Sequence, residues 1–80
     1  MKAKNRRAEV IVHIHEQLEE PQRTAVADRL RSNTGIFSAE FCPFGYHLML
    51  VRYDRQRLNS FDILSSVREQ NLNARLIGPV

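Results

Sequence analysis

The fold is decided by the stretch HLMLVRYDRQRLNSFDILSSVREQNLNARLIGP, which runs from His47 to Pro79. Residues 48–53 form a short apolar run rich in strand-forming side chains, which predicts a β-strand. The polar residues 54–57 end this run and predict an exposed turn. Residues 72–77 predict a second strand, which a Gly-Pro pair terminates. The intervening pattern is helical, so the stretch predicts strand, helix and strand.

The helix of this stretch has a recognisable beginning and end. Asn59 or Ser60 can cap it, because a short side-chain oxygen accepts a free first-turn amide. Asp62 lies in the first turn, where a carboxylate favours the positive end of the helix dipole. Asn71 is suited to leave the helix in a left-handed conformation. The apolar side chains that share one helical face are predicted to be buried, and they are Ile63, Leu64 and Val67.

The first half of the chain repeats this order of elements. Residues 9–15 have strand composition, and Pro21 is well placed as a first helical residue because its missing N–H costs nothing there. Gly35 ends the helix as a residue that adopts positive φ freely. Residues 36–42 predict the next strand, and the segment 43–45 predicts a tight turn into the strand that follows.

Together these elements predict the order βαββαβ and an α+β fold. Two βαβ halves with right-handed crossovers give one four-stranded antiparallel sheet, in the order 4-1-3-2, with two helices on one side. This is the ferredoxin-like arrangement, and it leaves the other side of the sheet, the open face, uncovered. Alternation along the strands and the helical stripes predict a helix-facing core made of Val10, Val12, Ile14, Val26, Leu30, Phe41, Val51, Ile63, Leu64, Val67 and Leu76.

A family resemblance is carried by the segment VRYD at 51–54 and by the residues that follow it, Leu58, Ser60, Ile63, Leu64, Val67 and Ala74. This pattern resembles the second half of heavy-metal-associated domains, small ferredoxin-like modules of copper chaperones and metal-pumping ATPases. The family often has V-x-Y-D-P here, and Arg55 replaces the proline. Its ligand motif M-x-C-x-x-C is absent, because residues 15–21 read HEQLEEP. The resemblance implies the fold without metal transfer by two thiolates.

Length and composition predict one domain with a basic tail. The chain has 80 residues and 42% hydrophobic side chains, which favours a single folded globule. The predicted tail is residues 1–8, and removing its four basic charges from the formal net charge of +3 leaves −1 for the predicted domain, residues 9–80. No long apolar run or signal segment is present, so neither membrane insertion nor export is expected. The single Cys42 cannot form an internal disulfide, which fits a reducing, cytoplasmic location.

Two function classes are disfavoured by the sequence. An enzyme is not expected, because the chain has one cysteine, no glycine-rich phosphate loop and no catalytic constellation. Nucleic acid is not the expected partner either. RNA-binding domains of this fold carry stacking aromatics on strands 1 and 3 of the open face, where this chain has His13, Leu48 and Leu50. RNA binding through His13 and the basic tail remains a lesser alternative.

The leading hypothesis is a non-enzymatic binding module that recognises another protein or a second copy of itself. Ile11, Leu48 and Leu50 are predicted to form an apolar patch on the open face, and such patches on small domains are more often contact surfaces than accidents. Phe44 and Tyr46 at the hairpin are predicted to add aromatic anchors. In the competing interpretation, one of these rings folds back over the edge of the sheet.

The alternative hypothesis is an atypical site for a zinc or copper ion. The predicted topology brings together the end of strand 1, the end of strand 2 and the start of strand 3, and with them His13, His15, Cys42 and His47. Imidazole and thiolate are ligands for both metals. Alternation directs the first three side chains to the open face, whereas His47 is expected to lean toward the helices unless the hairpin twists. The competing interpretation is that the histidines are exposed strand residues and the thiol is a small half-buried group.

Overall fold

The computed structural model describes residues 6–43 and 45–77, except for the side chain of Tyr46. Phe44, most of the predicted tail and the terminal Gly-Pro pair therefore lie outside the described residues. The elements follow the predicted order: β1 (Arg7–Ile14), α1 (Glu20–Arg31), β2 (Ile36–Cys42), β3 (Gly45–Asp54), α2 (Ser60–Arg68) and β4 (Ala74–Leu76).

The four strands form one antiparallel sheet in the order β2-β3-β1-β4. This is the predicted order 4-1-3-2 read from the other edge, so the ferredoxin-like βαββαβ fold is confirmed. In the centre of the sheet, Val10 lies opposite Val51 and Ile11 lies opposite Leu50. Residues directly opposite each other in an antiparallel pair point to the same face, so this register keeps each face in phase across β1 and β3.

The helices begin and end where local chemistry favours it. Asn59 caps α2: its side chain accepts a hydrogen bond from the Asp62 N–H, while the Asp62 carboxylate accepts one from the Asn59 N–H, both at 2.9 Å. Pro21 is the second residue of α1, one position later than predicted. Gly35 and Asn71 both have positive φ, 99° and 64°, as the sequence predicts. Neither helix in the described part of the chain is long and apolar enough to cross a membrane.

The core lies between the sheet and the two helices. Nine of the predicted core side chains are buried, whereas Phe41 and Leu76 pack against the core but stay half-buried. Leu76 is the last residue of the short β4, and Phe41 lies beside an irregularity of β2, so neither is fully covered. These further residues are also buried in the core: Ala27, Ala39, Met49, Tyr53 and Ala74.

The sheet begins two residues earlier than the predicted boundary between tail and domain. Arg7 already pairs with Asp54, and the Arg6 guanidinium donates a 2.8 Å hydrogen bond to the Asp54 carboxylate. Asp54 is only 2% exposed, and its carboxylate also accepts a hydrogen bond from the Gln56 N–H. These contacts attach the start of β1 to the turn after β3. The hydrogen bond from Arg6, followed by that from Gln56, lowers the pKa of Asp54.

Candidate functional site on the open face

The open face of the sheet is formed by the side chains that alternate with the core residues. Ile11 and Leu50 are opposite each other there and both are half-buried. Ile77 extends this row at the β4 edge, because its N–H donates a 2.8 Å hydrogen bond to the Ile11 carbonyl, and its side chain is 51% exposed. Leu48 lies opposite His13 in the next row of the same face. We call these four apolar residues the apolar patch: Ile11, Leu48, Leu50 and Ile77.

The other end of the open face is charged, but its charges are largely paired. The Arg52 guanidinium lies 2.9 Å from the Glu9 carboxylate and 4.0 Å from that of Glu40. Arg7 lies over the ring of Phe37, with its guanidinium carbon 5.4 Å from the ring centroid, which is within cation–π range. The described open face therefore presents both signs of charge and no strong field of one sign.

Two irregularities in the pairing of β2 with β3 change which side chains reach the open face. Ile36 pairs with Tyr53 and Ser38 with Arg52, so Phe37 is an extra residue with no partner in the ladder. It is 48% exposed and lies under Arg7, whereas strict alternation would turn it toward the core. The Ser38 hydroxyl next to it is buried and has no hydrogen-bond partner among the described residues.

The second irregularity lies at the hairpin and determines the position of His47. Phe41 pairs with Met49 but Cys42 pairs with Gly45, so residues 46–48 have no partners on β2. His47 is half-buried, and its ring lies beside the ring of His13, with centroids 5.8 Å apart and planes at 19°. His47 therefore lies beside His13 rather than toward the helices, which is the exception that was expected if the hairpin twists. The reason is that simple alternation does not hold through a bulge.

A hydrogen bond holds the ring of His47 in place. Its Nδ1 lies 2.7 Å from the carbonyl oxygen of Ile14. The ladder between β1 and β3 ends at the pair His13–Leu48, so this side chain satisfies a carbonyl just beyond the last backbone pair. A carbonyl oxygen only accepts, so Nδ1 carries the hydrogen, and in the neutral ring the lone pair is on Nε2.

The other two predicted metal ligands do not join His13 and His47. His15 is exposed and follows β1, and its N–H bonds to the Asn73 carbonyl at 2.7 Å. Cys42 is a half-buried free thiol at the end of β2. Among residues 6–43 and 45–77, no three His, Cys, Asp or Glu side chains come together in a group that could hold a metal ion. The structure therefore brings two of the four predicted ligands together, His13 and His47.

A shallow depression of about 370 Å³ lies beside the histidines, between β1 and β4. His13, His15, Asn73, Ala74 and Arg75 line it. It is open to solvent, so it is not an enclosed apolar pocket of the kind that holds a small molecule.

The loop after β1, where the resembled family carries its thiolates, is fastened by a carboxylate. Glu16 accepts hydrogen bonds from the Asn73 backbone N–H at 2.9 and 3.1 Å and from the Asn73 side-chain amide at 2.8 Å. The backbone hydrogen bond from Asn73 is the main cause of a lowered pKa of Glu16. These hydrogen bonds tie the loop after β1 to the segment before β4.

Solved structures of other domains share the fold, among them the following two. A copper binding domain from HMA7, a P-type ATPase, matches with a TM-score of 0.78 at 16% sequence identity, over 88% of this chain and 93% of that one. The yeast copper transporter domain Ccc2a, solved in apo and Cu(I)-loaded states, matches with a TM-score of 0.76 at 15% identity, over 90% and 97%. The chain therefore shares its fold with these two domains. No protein-family model and no curated protein matches the sequence.

The two fold matches confirm the architecture that the resemblance implied. Ile77 and Phe37 lie on the open face but were not predicted to do so from the sequence. Ile77 could have been found by continuing the alternation of β4, since Ala74 and Leu76 face the core. Phe37 could not, because its outward position depends on a bulge that has no signal in the local sequence. The predicted anchor Phe44 and the side chain of Tyr46 lie outside the described residues.

Proposed function

We propose that this chain is a non-enzymatic binding module that pairs with a second copy of itself through the open face of its sheet. The observation that carries the proposal is the apolar patch, which lies on the two central strands and continues to the β4 edge. Burying such side chains stabilises an association by about 25 cal/mol per Å² of apolar surface. The helices cover the opposite face, so the open face is the side of the sheet left for a partner.

The size of the open face supports a partner of this kind. The strands have 8, 7, 10 and 3 residues, and at about 3.3 Å per residue and 4.8 Å per strand they cover roughly 440 Å². The relief of the side chains adds accessible surface to this projected area, and each partner in a stable complex buries roughly 800 Å².

The charge distribution favours a second copy over nucleic acid. The face carries Arg7, Arg52 and Arg75 together with Glu9 and Glu40, and Arg52 lies within 4.0 Å of both carboxylates. Two such nearly neutral faces can meet without strong repulsion. A nucleic-acid surface would instead present an excess of unpaired positive charge.

The test is the mass of the chain in solution, measured by sedimentation over a range of concentrations. We expect a reversible dimer in the wild type and a monomer after the double substitution Leu48→Lys and Leu50→Glu. A matched control is Phe61→Glu, which places the same negative charge on α2, where Phe61 is 69% exposed. A wild type that stays monomeric at high concentration, or a control that dissociates as fully as the double variant, would contradict the proposal.

A further inference from the structure

We propose that His13 and His47 are one half of a zinc site, which a second copy of the chain completes with the same two residues. The proposal rests on the self-association proposed above and adds a ligand to it, a borderline divalent transition-metal ion. The ligand atoms are imidazole nitrogens, so the site is distinct from the loop after β1.

The spacing of the two rings suits a shared ion. With a Zn–N bond of about 2.1 Å, two imidazoles on one tetrahedral ion have ring centroids roughly 5 Å apart. The centroids of His13 and His47 are 5.8 Å apart. The rings are stacked with their planes at 19°, whereas a shared ion must lie in both ring planes. The half-buried His13 ring therefore has to turn about its side-chain torsions before one of its nitrogens can reach an ion that His47 holds.

The hydrogen bond to Ile14 prepares His47 as a ligand. Because Nδ1 donates to the Ile14 carbonyl, the neutral ring presents the lone pair of Nε2 and has its orientation fixed. Metal-binding histidines commonly donate their second ring N–H to a carbonyl or carboxylate in this way. The hydrogen bond from His47 to the Ile14 carbonyl therefore also fixes the tautomer of His47 that can bind a metal ion.

The pair is incomplete in one chain. Zinc sites in proteins are commonly four-coordinate, and the described residues place no third His, Cys, Asp or Glu beside His13 and His47. A twofold axis supplies every contact twice, so a second copy would add two more imidazoles. His13 is opposite Leu48 on the central strands, which places the pair within the face proposed to dimerise. Four imidazoles and no thiolate suit zinc and other borderline divalent ions.

The experiment is a zinc titration of the full, untagged chain by calorimetry, with the mass measured by sedimentation before and after zinc addition. We expect one zinc ion per two chains and a dimerisation constant that zinc raises by about tenfold or more, since a ligand bound only by the dimer stabilises it. His13→Gln should weaken zinc binding at least about tenfold and leave the zinc-free dimer intact. His15→Gln is the matched control, one residue beyond the end of the same strand, and should behave as the wild type.

The outcomes separate this proposal from the previous one. A zinc-free dimer that does not respond to zinc would overturn the metal site and leave self-association standing. A dimer that forms only with zinc, and is lost in His13→Gln, would support the site and overturn zinc-free association. One zinc per chain, or equal affinity in His13→Gln and His15→Gln, would also overturn the site. Because Gln can disturb a strand, His13→Thr repeats the test with a strand-forming residue.

Discussion

The two faces of the sheet are built from the same strands but carry different side chains. Val12 is fully buried under the helices, whereas its neighbour Ile11 is half-buried on the open face. The same contrast separates Met49 from Leu50 on β3. One face is uniformly apolar and holds the fold together. The other mixes apolar, imidazole and charged groups, so changes there should alter association more than folding.

The largest expected effect is a loss of folding stability, which should occur on substitution of Val12 but not of Ile11. Val12→Asp would bury an unpaired carboxylate, at a cost on the order of several kcal/mol. A domain of this size has a total stability of only about 5–15 kcal/mol. We expect no cooperative thermal transition by circular dichroism.

Ile11→Asp is the matched control for this change, because the residue is adjacent but faces away from the helices. We expect it to fold, with a loss below about 1 kcal/mol measured at a concentration where the chain is monomeric. A cooperatively melting Val12→Asp variant would show that the assignment of the faces is wrong.

The next largest effect is the stability lost when a large side chain is shortened, which should differ between the two faces. Met49 is fully buried, so Met49→Ala should lower the free energy of unfolding by about 2–5 kcal/mol. Leu50→Ala should cost only about 1 kcal/mol, since its half-buried side chain leaves no enclosed cavity. Urea denaturation of both variants measures the difference. Equal losses would mean that the open face contributes to stability as much as the core does.

A third comparison concerns the buried charge at the end of the sheet. The pKa of Asp54 is lowered mainly by the hydrogen bond from Arg6. Because the folded-state pKa is the lower one, this stabilisation is fully present above the unfolded pKa of about 4 and is lost as pH falls through the folded value. We therefore expect stability in urea to decline from pH 5 toward pH 3.

Asp54→Asn should remove part of this decline. It should also lower stability at pH 6, where Arg6 loses its charged partner. Glu16→Gln is the comparison variant, because Glu16 is the other carboxyl with a lowered pKa. If Asp54→Asn shows the pH dependence of the wild type, the contact with Arg6 does not stabilise the fold.

The smallest effect is expected at the ion pair of the open face. The side chains of Arg52 and Glu9 are 40% and 48% exposed, so their interaction is screened by water. Glu9→Gln should change the free energy of unfolding by less than about 0.5 kcal/mol, and less still at high salt. A loss above about 1 kcal/mol would show that this ion pair of the open face also stabilises the fold.

Much of the fold could be predicted from the sequence, because local rules and tertiary packing agree. The cap at Asn59 and the positive φ of Gly35 and Asn71 depend on neighbouring backbone atoms, and the structure contains all three. The apolar alternation in β1 likewise reflects the geometry of a single strand. Such features need no knowledge of distant residues.

The candidate site was only half predictable. The four ligands were predicted from the topology, which shows which strand ends meet. Topology does not show that Cys42 and His15 lie apart from the His13–His47 pair, because the bulge at residues 46–48 sets the final direction of the side chains. A bulge shifts alternation by a residue, and whether it forms depends on pairing with another strand.

The sequence by itself therefore determined the order of the elements, the ends of the helices and the apolar face that forms the core. Tertiary structure alone decided the burial of Asp54 against Arg6, the outward position of Phe37 and the ring contact of His13 with His47. The physical reason is the distance along the chain over which each interaction acts. Propensity, capping and alternation act over a few neighbouring residues, whereas these three contacts join residues 30 or more positions apart, and only the register of the paired strands brings them together.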